Sequence, residues 1–189
     1  MGRSKAGNFS FFSRKYYCIS ALLWNINVMM KRDDILRLDD AQLSACCKLE
    51  FYKDSGPGGQ KRNKTSSAAR VILPEWDISA TDCTERSQVR NRANALQKLR
   101  IALALNVRET PAVPPERLEC AVTHPYYPLF LAHLLDVYSE NHWDYRAAAA
   151  VLGISSTAFV KKLYKDPVVW QKVIRELTSR DLPLLRAPK

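Results

Sequence analysis

Ser55-Gly56-Pro57-Gly58-Gly59-Gln60-Lys61-Arg62-Asn63-Lys64-Thr65-Ser66-Ser67-Ala68 is the stretch on which the reading of this chain turns. It is rich in Gly, Asn and charge, so residues 54–65 read as a loop between regular elements. Before it, Leu49-Glu50-Phe51-Tyr52-Lys53 alternates in the manner of a short strand. After it, Ala69-Arg70-Val71-Ile72-Leu73 is a second strand, Pro74-Glu75-Trp76-Asp77 interrupts, and residues 78–83 form the returning strand of a hairpin. Residues 86–108 hold six basic residues and no acid, with apolar Ala95, Leu96, Leu99, Leu103 and Val107. That spacing predicts a long amphipathic helix with one basic face. Upstream, residues 33–48 read as a helix or helix pair, with Asp39 and Asp40 suited to a helix start ahead of Leu43.

The loop has chemical content. Successive glycines reach backbone angles closed to other residues and add no bulk, which suits close approach of the backbone to another molecule. Hydrolysis of an ester develops a negative oxygen that a backbone N–H can stabilise. Gln60 carries no titratable proton, so the site is not an ordinary acid-base pair. No Gly-Lys-Ser/Thr closes the loop before a helix, so it is not a Walker-type phosphate loop. A plain Gly-rich turn lying against phosphates is the alternative reading.

The order of strand, glycine loop, hairpin, Glu85-Arg86-Ser87-Gln88 and basic helix with Asn91-Arg92-Ala93 resembles the catalytic domain of class I peptide chain release factors and their codon-independent rescue relatives. The resemblance covers about residues 44–105. It implies that Gly58, Gly59 and Gln60 are catalytic, with the Gln60 amide facing the oxyanion and its side chain positioning or screening water. It further implies that the 2′-hydroxyl of the terminal adenosine of the tRNA takes part in proton transfer, and that ribosomal RNA shapes the pocket. Lys61 and Arg62 depart from the residues usual after the glutamine. Lys53, Lys61, Arg62, Asn63, Lys64, Arg70, Arg86, Gln88, Arg90, Arg92 and Lys98 are the candidate RNA-binding residues.

The rest of the chain agrees with a polyanionic partner. Net charge is +10 over 189 residues with a pI near 9.5. Five cysteines without a CxxC pair, and three histidines away from them, suggest a reducing compartment and offer neither a metal site nor a nucleophile pair. No cofactor is expected. Residues 1–32 hold six Lys or Arg and no acid. They read as a basic extension, an organelle presequence or a segment upstream of a true start at Met29 or Met30. The uncharged run 16–30 is too short to span a membrane comfortably. Residues 111–122 form a Pro-rich linker.

Residues 123–189 read as helical. Arg146-Ala147-Ala148-Ala149-Ala150-Val151-Leu152-Gly153-Ile154-Ser155, followed by Phe159 and Leu163, is similar to a helix-turn-helix, with Gly153 at the turn and Ser155 as a cap. In such a unit Ser156, Thr157, Val160 and Lys161 are the exposed readers; a merely structural helix pair is the alternative. The C-terminus, Leu184 through Lys189, is not the Lys/Arg-rich tail that short rescue factors use. There is no room for the codon-reading and GTPase-contacting domains of a full release factor.

The expectation is an α+β protein: a small mixed sheet with the Gly-rich loop and a long basic helix over residues 33–110, then an all-helical module. The expected activity is codon-independent hydrolysis of peptidyl-tRNA on stalled ribosomes. The ribosome and peptidyl-tRNA are the expected partners, residues 144–164 offer a second RNA or DNA contact, and the protein is expected to act as a monomer away from membranes. It is expected in the cytoplasm, or in mitochondria if residues 1–32 are a presequence. A noncatalytic rRNA-binding factor and a helix-turn-helix DNA-binding regulator are the competing functions.

Overall fold

The computed structural model describes residues 30–53, 67–111 and 119–188. The expectations for residues 1–29, for the loop residues Gly58, Gly59, Gln60, Lys61, Arg62, Asn63 and Lys64, and for most of the Pro-rich linker lie outside the described residues.

Two short helices open the fold, α1 (Arg32–Arg37) and α2 (Asp40–Cys46). The second starts where the sequence predicts, because Asp39 and Gln42 form a reciprocal capping box: the Gln42 N–H donates to Asp39 and the Asp39 N–H donates to Gln42. Three strands follow, β1 (Lys48–Tyr52), β2 (Ala68–Leu73) and β3 (Ile78–Asp82), in the order β1-β2-β3. A 3-10 turn at Pro74–Trp76, closed by left-handed Asp77, joins the last two. Both described pairings are antiparallel, so the sheet is a meander and not the mixed sheet expected. Short local connections within the hairpin make antiparallel pairing the natural outcome.

Helix α3 (Gln88–Asn106) covers one face of β2 and β3. Ala69, Val71 and Leu73 from β2 meet Ala95, Leu96, Leu99 and Leu103 there, all of them buried. Each large aliphatic side chain so buried contributes about 1.5–3 kcal/mol, and Leu99→Ala would remove about 2–5 kcal/mol of stability.

The helical part comprises α4 (Tyr127–Glu140), α5 (Tyr145–Val151), α6 (Ser156–Tyr164) and α7 (Pro167–Ser179). Helix α4 is apolar nearly all round, and eleven of its fourteen residues are buried, as expected of a helix enclosed on several sides. It packs on α1 and α3 on one side and on α5 on another. Tyr138 of α4 stacks edge-on against Phe159 of α6 at 5.2 Å, and the Tyr127 hydroxyl donates to Asp166 at 3.3 Å. The turn between α5 and α6 forms as read: Gly153 has φ +66°, and the Ser155 hydroxyl accepts from the Ala158 N–H at 3.1 Å. No helix among the described residues is long and apolar enough to cross a membrane.

A buried ionic node joins α1, the end of α3 and α4. The Arg32 guanidinium donates to both carboxylate oxygens of Asp136, at 2.8 and 2.6 Å, and to the Val107 carbonyl at 3.0 Å. Asp136 also accepts from Arg108 and from the Glu109 N–H, each at 3.2 Å. Asp33 accepts from Arg32 and meets His133 Nε2 at 2.6 Å. Burial pushes the Asp33 carboxyl upward, but hydrogen bonds from His133 and Arg32 outweigh it and hold the group below its ordinary value. Burial lowers the Arg108 guanidinium to about 10 against the opposing charge of Asp136, so it stays cationic at neutral pH. Arg32, which the sequence reading grouped with the basic extension, is thus the first residue of α1 and 1% exposed.

Candidate active site

The described residues supply the frame of the loop. Tyr52 pairs with Ala68 across β1 and β2, so the fifteen residues between them leave from and return to neighbouring positions at one end of the sheet. The next row inward, Phe51-Ala69-Asp82, crosses all three strands. The glycine-rich segment is therefore flanked by an antiparallel strand pair whose register is set by alternation of inward and outward side chains.

Asn91 braces the returning stem. It lies in the first turns of α3, is 0% exposed, and uses both ends of its amide. Its Nδ2 donates to the Ser67 carbonyl at 2.7 Å and to the Glu85 carbonyl at 2.9 Å, while its Oδ1 accepts from the Glu85 N–H at 2.8 Å. One side chain thereby ties the residue before β2 to the turn before α3. An asparagine suits this task because it offers a donor pair and an acceptor without charge.

Asp82 organises the neighbouring turn. Its carboxylate accepts from the Thr84 hydroxyl at 2.8 Å, the Thr84 N–H at 3.1 Å and the Lys98 ammonium at 2.6 Å. Burial raises this carboxyl, yet the hydrogen bonds from Lys98 and Thr84 prevail and hold it below the usual carboxylate value.

The expected RNA contacts divide. Arg86 and Arg90 stand exposed where α3 begins, with Arg90 3.7 Å from Glu85. Gln88 is exposed in the same turn. Lys53 is exposed at the outgoing stem. Arg70 is exposed on the outer face of the sheet, where it lines an open cavity of about 630 Å3 with Glu50, Tyr52 and Thr81. Arg92, by contrast, donates to the Ser44 hydroxyl at 2.5 Å, and Lys98 is held by Asp82. Farther along α3, Arg100 is 5% exposed and donates to Asp40 at 2.6 Å and to the Leu38 carbonyl at 2.9 Å. Helix α3 therefore does not present the single basic face expected from its sequence. The acidic partners of Lys98 and Arg100, Asp82 and Asp40, come from other segments.

A family model described as the RF-1 domain matches residues 41–119. The match takes in 79 of the chain's 189 residues. Its relatives are similar in name: the chain is 32% identical to peptide chain release factor 2 of Lactiplantibacillus plantarum over 115 residues, 54% of this chain and 30% of that protein. It is 36% identical over 85 residues to peptide chain release factor 1 of Erythrobacter litoralis, covering 44% of this chain and 23% of the relative. With peptide chain release factor 1 of Lacticaseibacillus casei it shares 40% over 76 residues, 40% of this chain and 20% of the relative. The chain thus spans between a fifth and a third of the length of these relatives. No solved structure matches it.

The matched segment takes in α2 from its second residue, the three strands, α3 and the sequence of the glycine loop, while α1 and α4 to α7 lie outside it. Contacts that attach these flanks to the matched segment include the Arg32-Asp136-Arg108 node, the packing of α1 and α4 on α3, and Lys162 of α6, which donates to Glu119 at 2.6 Å. Among the expected readers of the helix-turn-helix-like segment, Thr157 and Lys161 are exposed and Ser156 is half-buried. Val160 is 9% exposed and belongs to the core with Phe159 and Leu163. The exposure expected for Val160 is corrected by its place on the inward side of α6.

Proposed function

We propose that this chain hydrolyses the ester of peptidyl-tRNA on the ribosome, using Gly58-Gly59-Gln60, and does so without reading a codon. The single observation that carries this reading is the intact tripeptide within the RF-1 match. The glycines let the backbone approach the terminal adenosine, and the Gln60 N–H is the donor for the oxyanion. A donor in that role is worth about 2.7–4 kcal/mol of barrier. The brace from Asn91 to Ser67 supports the reading by fixing one stem of the loop, since a donor misplaced by an ångström loses most of its effect.

Lys53, Lys61, Arg62, Asn63, Lys64, Arg70, Arg86, Gln88 and Arg90 are proposed to face ribosomal RNA or tRNA. Arg92 and Lys98, although in the same set, are assigned to holding α2 and β3 against α3. The protein acts as a monomer in the cytoplasm, or in mitochondria if its first residues are a presequence.

The test is peptide release from ribosomes holding labelled peptidyl-tRNA, with the A site empty, carrying a stop codon or carrying a sense codon. Comparable release from ribosomes with an empty A site and with a stop codon is expected. Release only with a stop codon would refute codon independence, and none under any condition would refute hydrolysis.

A further inference from the structure

Helix α6 and its C-terminal cap Lys165 present a face that is largely exposed among the described residues. At 3.6 residues per turn, Thr157, Lys161, Tyr164 and Lys165 fall within about a third of the helix circumference. All four are exposed, and Tyr164 keeps 46% of its surface open. Phe159, Val160 and Leu163 occupy the buried side. The Tyr164 ring is held in place by an edge-on contact with Trp170 of α7, with centroids 5.1 Å apart. Lys161 and Lys165 border it, and Lys165 spends one proton on the Cys120 carbonyl at 3.1 Å. An ammonium has three protons to donate, so a second partner is available to it.

The surroundings favour an anion. Between residues 145 and 175 there are six basic residues and one acid, Asp166. Asp166 is 8% exposed, and its carboxylate accepts from the Val168 N–H at 2.9 Å and from the Tyr127 hydroxyl. The exposed acid beside the lysines is Glu119, which is paired with Lys162 at 2.6 Å, so the three lysines Lys161, Lys162 and Lys165 outnumber it at this surface.

We infer that the α6 face of Thr157, Lys161, Tyr164 and Lys165 binds single-stranded RNA, the lysines meeting phosphates and the Tyr164 ring meeting a base. A fixed, half-open aromatic ring beside cations is the arrangement that single strands recognise, because every base has a stacking face. Reading of a DNA duplex fits poorly: Val160 is buried and Ser156 is half-buried, which leaves few side chains for base edges. The choice of RNA over DNA rests on the ribosome-directed reading above, whereas the surface itself does not depend on catalysis.

The experiment measures fluorescence anisotropy of a labelled oligouridylate about a dozen nucleotides long, titrated with the full chain away from ribosomes. Tyr164→Ala should weaken binding about tenfold, and Tyr164→Phe, which keeps the ring, should restore it. Lys161→Glu should weaken binding and reduce the slope against salt by about one. Charge reversal at Lys48, at the other end of β1, should change little. Each variant is melted by circular dichroism, and if Tyr164→Ala fails to fold, Tyr164→Phe and Lys161→Glu decide. Affinity within about twofold of the unaltered chain for folded Tyr164→Ala or Lys161→Glu would overturn the proposal. So would tighter binding to a DNA duplex of the same length. Because the assay needs no hydrolysis, a chain inactive in peptide release yet sensitive to these changes would sink the catalytic reading and leave this one standing.

Discussion

Arg32 and Asp136, 104 residues apart, meet as a bidentate ion pair with both side chains 1% exposed. The pair joins α1, before the matched segment, to α4, after it, and Arg108, two residues past the end of α3, completes it. Such a pair contributes little relative to apolar packing of the same volume, but losing one partner strands a buried charge.

Asp136→Ala should therefore lower stability by about 3–5 kcal/mol, because Arg32 and Arg108 lose their shared counter-charge. Arg32→Met combined with Asp136→Leu should recover part of that loss. Urea unfolding of the three proteins measures it. A double variant no more stable than Asp136→Ala would show that the loss arises from packing and not from the stranded charge.

Asn91 makes a second, separable prediction. Asn91→Leu has nearly the same volume but leaves the Ser67 and Glu85 carbonyls and the Glu85 N–H without their partner. Loss of stability of about 1–3 kcal/mol for each group that water cannot reach is expected. Peptide release should fall more than ribosome binding does, since the loop stem loses its brace. Equal loss of both would place Asn91 in the general stability of the fold alone.

Much of this architecture is legible locally. Asp39 and Gln42, Ser155, and Gly153 each announce a helix end by the side chain or backbone freedom that the end requires. The two strands flanking the loop follow from alternation, and residues 123–189 read as helical from their sequence. What local pattern does not contain is the partner of a charge. Arg100 and Lys98 look like surface cations because Asp40 and Asp82 lie 60 and 16 residues away. Arg32 looks like part of a basic tail for the same reason. Asn91 stands within the recognised motif, yet its task appears only when Ser67 and Glu85 are brought to it by the sheet. Val160 sits at a position that helix-turn-helix analogy exposes, and the packing of α6 against its neighbours buries it.

The division among basic residues of α3 gives a third prediction. Arg86→Glu with Arg90→Glu should weaken ribosome co-sedimentation and flatten its dependence on salt by about two phosphate contacts, with the melting temperature nearly unchanged. Lys98→Ala should show the reverse pattern, a lower melting temperature from loss of the Asp82 contact and nearly unchanged binding. Should Arg86→Glu with Arg90→Glu sediment with ribosomes like the unaltered protein at every salt concentration, these side chains face solvent.

The central claim is that the backbone at Gly59 and Gln60 carries hydrolysis while other parts of the chain carry binding. The most direct measurement is single-turnover release of labelled peptide by Gly59→Ala, made beside co-sedimentation of the same protein with ribosomes. A β-carbon at Gly59 should displace the oxyanion donor and slow release by about a hundred- to a thousandfold, with ribosome binding retained. Release at the unaltered rate by a Gly59→Ala protein that still binds would contradict the account.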